Sequence, residues 1–261
     1  VTTSGLGLSP RKRQRLRAFD QVNVSYDGPG DVYATLRPPR AAEAEEAVRA
    51  LAEAGVRVGV NVVLTRGSYP SLEATVRRAR ELGAREAQLL RLKPAGRAAR
   101  LDYLAARMTP DQRRDLAPTL RRLSLALAEA RPDGERFGLR IDCALVPFLA
   151  SDDALYNAGG TLEAFGVLGC EAARHLGAVT VTGEAAPCSF APAAAVPFGA
   201  GEARVGGARN EAAPGVRESA PEPCGSCRWA PVCRGGCRVV SALLVGDPTA
   251  PDPECPRVEA P

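Results

Sequence analysis

Long apolar runs are missing from this sequence of 261 residues. No stretch approaches the roughly 18 residues that a membrane-spanning helix needs, so no membrane partner is expected. The N-terminus, VTTSGLGLSPRKRQRLRAF, has no apolar core ahead of a small-residue cleavage site and does not read as a secretory signal. Lysine is nearly absent: Lys12 and Lys93 stand against 32 arginines. With so much alanine, that ratio points to coding bias rather than nucleic-acid binding, and no nucleic-acid partner is expected. The net charge of +4 gives no large field to attract a polyanion. The one dense basic run is Arg11, Lys12, Arg13, Arg15 and Arg17. It reads first as a solvated helix face and second as a phosphate or polyanion site. Cysteine is absent from the first 142 residues. What remains is ordinary, with 45% apolar and 25% charged residues. That excludes a disordered chain, a collagen-like chain and a mini-protein needing disulfides. The length suits one large domain or two ordinary ones.

The chain reads as two parts, 1–142 and 143–261. The first alternates strand-like and helix-like segments. Gln21–Ser25 is a strand ending at the turn Asp27-Gly28-Pro29-Gly30. Ala41–Ala54 is a helix stopped by Gly55. Val56–Thr65 (VRVGVNVVLT) is an apolar, β-branched run that fits a buried strand. Ser71–Leu82 is a helix with Ser71 as N-cap and Gly83 past its end. Ala87–Leu92 is a strand, Pro110–Arg131 a long helix capped by Thr109, and Leu139–Leu145 a last short strand. Alternation at this spacing argues α/β architecture with a parallel sheet. Ligands of such sheets sit at the C-terminal strand ends. The residues there are Ser25, Asp27, Asn61, Thr65, Arg66 and Lys93 to Arg97, each of which turn chemistry or solubility also explains. After Gly177 helical periodicity fades, and Ala191–Pro223 is rich in loop residues. So weak a core is one that metal sites can stabilise.

All eight cysteines lie in the second part: Cys143, Cys170, Cys188, Cys224, Cys227, Cys233, Cys237 and Cys255. Without a secretory signal a reducing cytoplasm is the expected compartment, where disulfides are disfavoured and clustered cysteines are more often metal ligands. Eight thiolates also fully ligate two [4Fe-4S] clusters. The spacing is C-x12-G-x4-C over 170–188, with Gly183 as the glycine, then C-x2-C-x5-C-x3-C over 224–237, then Cys255. A C-x2-C turn brings two thiolates to one centre. Gly225, Gly235 and Gly236 permit tight backbone that can aim N–H groups at sulfur. Arg228, Arg234 and Arg238 are placed to offset cluster charge. Residues 224–237 alone also suit a structural zinc site.

This seven-cysteine arrangement resembles the SPASM domain of radical S-adenosylmethionine (radical SAM) enzymes. The words PCSF (187–190), CRGGCR (233–238) and GDPTAPDPECP (246–256) fit it too. NVSYDG (23–28) resembles the fourth-strand motif of those enzymes, NVVLTRGSYPSLE (61–73) strand five, and LRLKPAGRA (90–98) strand six with its proline-glycine-arginine turn. The resemblance implies an α/β fold: the C-terminal part of a partial (β/α)6 TIM-like barrel over 1–142, then a small loop-rich iron–sulfur domain over 143–261. It implies two auxiliary [4Fe-4S] clusters. The first would take Cys170, Cys188 and Cys237, with Cys143 as fourth ligand; Cys143 also suits an ordinary buried thiol, which would leave the fourth iron open. The second would take Cys224, Cys227, Cys233 and Cys255. Ser25 and Asn61, then Arg66, would contact S-adenosylmethionine, with Leu92–Lys93–Pro94 flanking adenine.

Two features depart from the family pattern. The C-x3-C-x2-C motif that holds the catalytic, S-adenosylmethionine-binding cluster is not in this sequence. VTTSG resembles the end of strand three, so the chain is expected to start inside the barrel, lacking two βα units, roughly 60–90 residues. Alone it would be inactive. In the sulfatase-maturing branch an Asp base follows the cysteine equivalent to Cys188; here it is Ser189, unactivated without a partner base. His175 is a possible proton carrier and, more plainly, a surface or helix-end residue. The resemblance implies a maturase-type parent enzyme that modifies a peptide or protein by 5′-deoxyadenosyl-radical hydrogen abstraction. Its partners would be a peptide or small-molecule substrate and an electron donor such as flavodoxin or ferredoxin. The alternatives are haem or redox-cofactor biosynthesis and, from another class, a non-catalytic iron–sulfur or zinc binding fragment.

Overall fold

The computed structural model describes residues 1–96, 98, 102–129, 134–157, 162, 165–172, 176–191 and 222–258. Arg97, Arg131, His175 and most of the 191–223 stretch lie outside the described residues. The chain divides into two compact units. One comprises Val1–Leu92, Leu104–Asp142 and Ser151–Val167; the other comprises Lys93–Tyr103, Cys143–Ala150 and Leu168–Pro261.

The first unit is built on a five-stranded parallel sheet. β1 (Thr2–Thr3), β2 (Val22–Ser25), β3 (Val58–Leu64), β4 (Glu86–Arg91) and β5 (Gly138–Ile141) pair in chain order. Parallel neighbours need crossover connections. Helices supply them: α1 (Pro10–Leu16), α2 (Asp31–Ala34), α3 (Ala41–Glu53), α4 (Leu72–Glu81), α5 (Tyr103–Ala106) and α6 (Pro110–Ala126). α1 carries the basic run and buries none of its residues, so it is a solvated helix. α3 packs on β2 and β3, and α4 on β3 and β4.

Register gives the sheet two unlike faces. Val24, Val60, Ala87 and Leu139 form one apolar row across β2 to β5, and each is buried. One residue further along each strand, Ser25, Asn61, Gln88 and Arg140 form a polar row. Alternate side chains of a strand point to opposite faces, so the polar row lies opposite the helix-covered face. Gly59 makes room beside it: a Cβ there would lie 2.6 Å from Asn23 Oδ1 and 2.9 Å from Glu86 Cγ. Gln21 Nε2 instead donates to Asn23 Oδ1 at 2.8 Å and to Glu86 Oε1 at 2.6 Å.

Three local expectations need correction. The strand read as Leu139–Leu145 stops at Ile141, and a helical turn spans Cys143–Leu145. The run that follows is buried on every side, and Pro147 suits the first turn of a helix better than a strand. Ser71 does not cap α4 with its side chain; a 3-10 turn, Tyr69–Ser71, leads in, and Thr75 Oγ1 donates to the Ser71 carbonyl at 2.9 Å. The long helix ends at Ala126, while Thr109 does start it, in a reciprocal capping box with Gln112.

Among its described residues the second unit has little regular structure. It holds a two-stranded antiparallel hairpin, β6 (Ala178–Val179) with β7 (Ala185–Ala186), whose turn contains Gly183. It also holds α7 (Val146–Leu149) and two further helices, Ala230–Cys233 and Arg238–Val245. α7 packs against the Ala230–Cys233 helix, and Trp229, Phe148 and Leu145 are fully buried there. Among the described residues no helix is long and apolar enough to cross a membrane.

Candidate functional site

Four cysteines of the second unit line one small cavity, about 20 Å³ and so no larger than a water molecule: Cys224, Cys227, Cys233 and Cys255. Sequence brings the first pair there through a turn in which Cys227 N donates to Cys224 O at 3.3 Å. Cys233 ends a one-turn helix, its N–H bonded to Trp229 O at 2.7 Å. The chain then reverses through Arg234, Gly235 and Gly236, all with positive φ (59°, 81° and 87°). Backbone N–H groups reach sulfur, as glycine-rich backbone permits. Gly235 donates to the Cys233 sulfur, and Arg257 and Val258 donate to the Cys255 sulfur. Cys255 Sγ also lies 3.6 Å from the Pro147 carbonyl.

Burial pushes the Cys233 thiol well above its ordinary range and the Cys255 thiol up to about 11. Desolvation disfavours the thiolate, and the neighbouring thiols and Asp252 add to the effect. Such thiols stay protonated until a metal takes their charge, so metal binding here releases protons. Four thiols line one cavity, with N–H donors on two sulfurs; the donor chemistry suits a thiolate-ligated centre, but the side chains are not drawn together around a common point. Among the described residues, no three His, Cys, Asp or Glu side chains are grouped so as to hold a metal ion.

Cys143, Cys170, Cys188 and Cys237 are outside that cavity lining. The first three are half-buried and Cys237 is buried. Arg234, expected to offset cluster charge, is ion-paired with Glu171. The cation that does line the cavity is Arg257, held by a 2.5 Å bond from Nε to the Ala150 carbonyl.

Gly236 admits no side chain. A Cβ there would lie 2.3 Å from Asp252 Cβ, and its φ is +87°. Gly236→Ala is expected to lower stability by at least about 1–3 kcal/mol from backbone strain alone, read from the denaturation midpoint of the purified chain.

In the first unit, Ser25 ends β2 and its register partner Asn61 lies in the middle of β3, so the expected place of Asn61 at a strand end is not met. Asn61 is 9% exposed; its Oδ1 accepts from Asn23 Nδ2 at 3.0 Å, and its Nδ2 points to Thr2 Oγ1 at 3.5 Å. Arg66 does not join them. It lies exposed in the turn after β3, with its N–H on Ala106 O and its carbonyl accepting from Gln112 Nε2. Thr65 closes a buried turn with Ser68, through bonds of 2.9–3.1 Å. Asp27 is fully buried; it pairs with Arg37 and accepts from Val63 N at 2.7 Å. Both therefore serve the turns. Lys93, in the second unit, is 7% exposed with Nζ 4.3 Å from the Phe190 ring centroid.

Two residues of the cavity region, Asp252 and Arg257, have no signal in cysteine spacing. The only hint is an acidic residue among prolines just before the last cysteine.

No protein-family model matches the chain, and no curated protein matches it in sequence. Its fold is shared with solved structures. Streptococcus suis SuiB bound to S-adenosylmethionine superposes with TM-score 0.59 at 16% identity, covering 97% of this chain and 58% of that one. SuiB bound to precursor peptide SuiA gives 0.62 at 17% identity, with the same coverages of 97% and 58%. Hexahistidine-tagged anSMEcpe with bound AdoMet gives 0.61 at 14% identity, covering 92% of this chain and 65% of that one. The chain thus spans less than two thirds of the length of each.

Proposed function

We propose that this chain is the C-terminal part of a radical SAM barrel followed by a SPASM-type domain, and that the enzyme it belongs to modifies a peptide or protein. One observation carries this reading. The four cysteines that line a single cavity, Cys224, Cys227, Cys233 and Cys255, are the four that the resemblance groups as ligands of the second auxiliary cluster. The fold shared with two S-adenosylmethionine-bound structures supports the barrel assignment. The precursor peptide in the SuiB complex favours a peptide substrate over a tetrapyrrole.

In this reading Cys170, Cys188 and Cys237, with Cys143, hold the first auxiliary cluster. When bound, S-adenosylmethionine and the clusters supply radical and electron-transfer chemistry. The chain's own residues bind and orient. The Ser25 hydroxyl and the Asn61 amide offer hydrogen-bond donors and acceptors at paired positions of adjacent strands. The packing of the second unit buries Cys233 and Cys255, while Cys224 and Cys227 stay half-buried at its edge. An electron donor of the flavodoxin or ferredoxin type completes the system.

The test is metal analysis of the chain after anaerobic purification and reconstitution. The expected content is about eight iron and eight sulfide per chain, with little zinc. About one zinc and no sulfide would leave a zinc-stapled fragment and overturn the reading.

A further inference from the structure

Asp252 is 1% exposed and joined to four points of the cysteine loops. Its Oδ2 accepts from Cys237 N at 2.9 Å. Its Oδ1 accepts from Glu254 N at 3.1 Å. Its own N–H donates to Gly235 O at 3.0 Å, and its carbonyl accepts from Cys255 N at 3.0 Å. Gly236 lies against its Cβ so closely that no side chain fits between them. Cys237 begins the Arg238–Val245 helix, so the carboxylate also sits at a helix N-terminus, where negative charge is favoured.

The cost of this carboxylate is visible in the same place. It adds to the upward push on the Cys233 and Cys255 thiols. A buried negative charge beside future thiolates works against metal binding taken one site at a time. What Asp252 supplies in return is geometry. One side chain and its own peptide groups lock the turn after Cys233, the amide of Cys237 and the amide of Cys255 into one rigid piece.

We propose that Asp252 is a positioning residue that couples the two ligand sets, so that metal held by Cys224, Cys227, Cys233 and Cys255 stabilises metal held through Cys237. This inference rests on the two-cluster reading above. Filling the second set fixes Cys255, Cys255 fixes the Asp252 backbone, and the Asp252 carboxylate fixes the Cys237 amide. Removing the middle of that chain leaves both sets in place but independent.

A double-mutant cycle on the full chain tests it, read as the rate at which a chelator removes iron from anaerobically reconstituted protein. With Asp252 present, Cys227→Ala is expected to speed loss of the remaining iron about tenfold, within the usual range of coupling between sites. In an Asp252→Asn background the same Cys227→Ala change is expected to speed it by less than about twofold, as for independent sites. Asn offers one acceptor where Asp offers two, so one of the two loop amides loses its partner. Asp252→Glu serves as a second background if Asn prevents folding, and the same loss of coupling is expected there. Equal acceleration in both backgrounds, or none in either, overturns the coupling while leaving a full iron and sulfide content untouched. Unmutated chain that takes up no iron and sulfide overturns the cluster reading, and the coupling falls with it.

Discussion

Stripping metal from the chain is expected to unfold the second unit while the first stays folded. The reason is an imbalance in what each unit buries. The first has a parallel sheet with one face sealed by Val22, Val24, Val58, Val60, Val62, Ala87 and Leu89, and helices that add Leu51, Val76, Leu116, Leu120 and Leu123, all at most 1% exposed. The described residues of the second hold short helices, a two-residue-per-strand hairpin and a small cavity lined by thiols. Apolar burial of that extent offsets little of the backbone entropy lost on ordering so many irregular residues. The metal sites proposed above would supply the difference: zinc-finger sites contribute roughly 10–16 kcal/mol near neutral pH. The measurement is hydrogen exchange of the whole chain with and without chelator. Protection should vanish across 222–258 and persist in β2, β3 and β4. Protection that survives chelation in 222–258 would mean that apolar packing, not metal, holds the second unit.

Part of this is legible in the sequence, and the rest is hidden for physical reasons. β3 announces itself because it is apolar at nearly every position, so Asn61 stands out as the one polar side chain within it. The cysteine set is readable because ligand spacing is local: two thiols three positions apart share a turn. The polar row Ser25, Asn61, Gln88 and Arg140 is not readable, since it exists only through the register of four strands. Gln88 and Arg140 look like ordinary surface residues within AQLLRL and LRIDCAL. Asp252 is hidden because its partners are main-chain groups, which carry no residue signature. The turn at Cys143 escapes because an apolar run such as CALVPFLA reads equally as buried strand or buried helix, and Pro147 decides for helix. The β-strand ends agree to within a residue or two where a ladder sets them, and fail at Leu145, where the ladder has already ended.

Replacing Arg37 with Ala is expected to lower the stability of the first unit by about 3–5 kcal/mol, the usual effect of removing one partner from a buried ion pair. Asp27 is fully buried and Arg37 about a quarter exposed (0% and 26%), so the carboxylate has little else to meet its charge. Its other bond, from Val63 N at 2.7 Å, satisfies one oxygen only. The pH dependence separates this account from a simple loss of packing. Burial already raises the Asp27 pKa above its ordinary 3.8, with Arg37 the largest pull in the other direction. A raised folded-state pKa means that the contribution to stability is fully present below 3.8 and is lost as pH rises through the folded value. Without Arg37 the pKa rises further. The deficit of Arg37→Ala should therefore be largest near neutral pH and shrink as pH falls and Asp27 takes up a proton. Asp27→Asn, which keeps an acceptor for Val63 N and buries no charge, should lose less than Arg37→Ala and show no such slope. Denaturant midpoints measured across the acid range give both, and a deficit independent of pH would sink the account. The consequence reaches the candidate site. Asp27 follows Ser25 by two residues and Val63 follows Asn61 by two, so this one carboxylate ties the end of β2 to β3 close to both side chains.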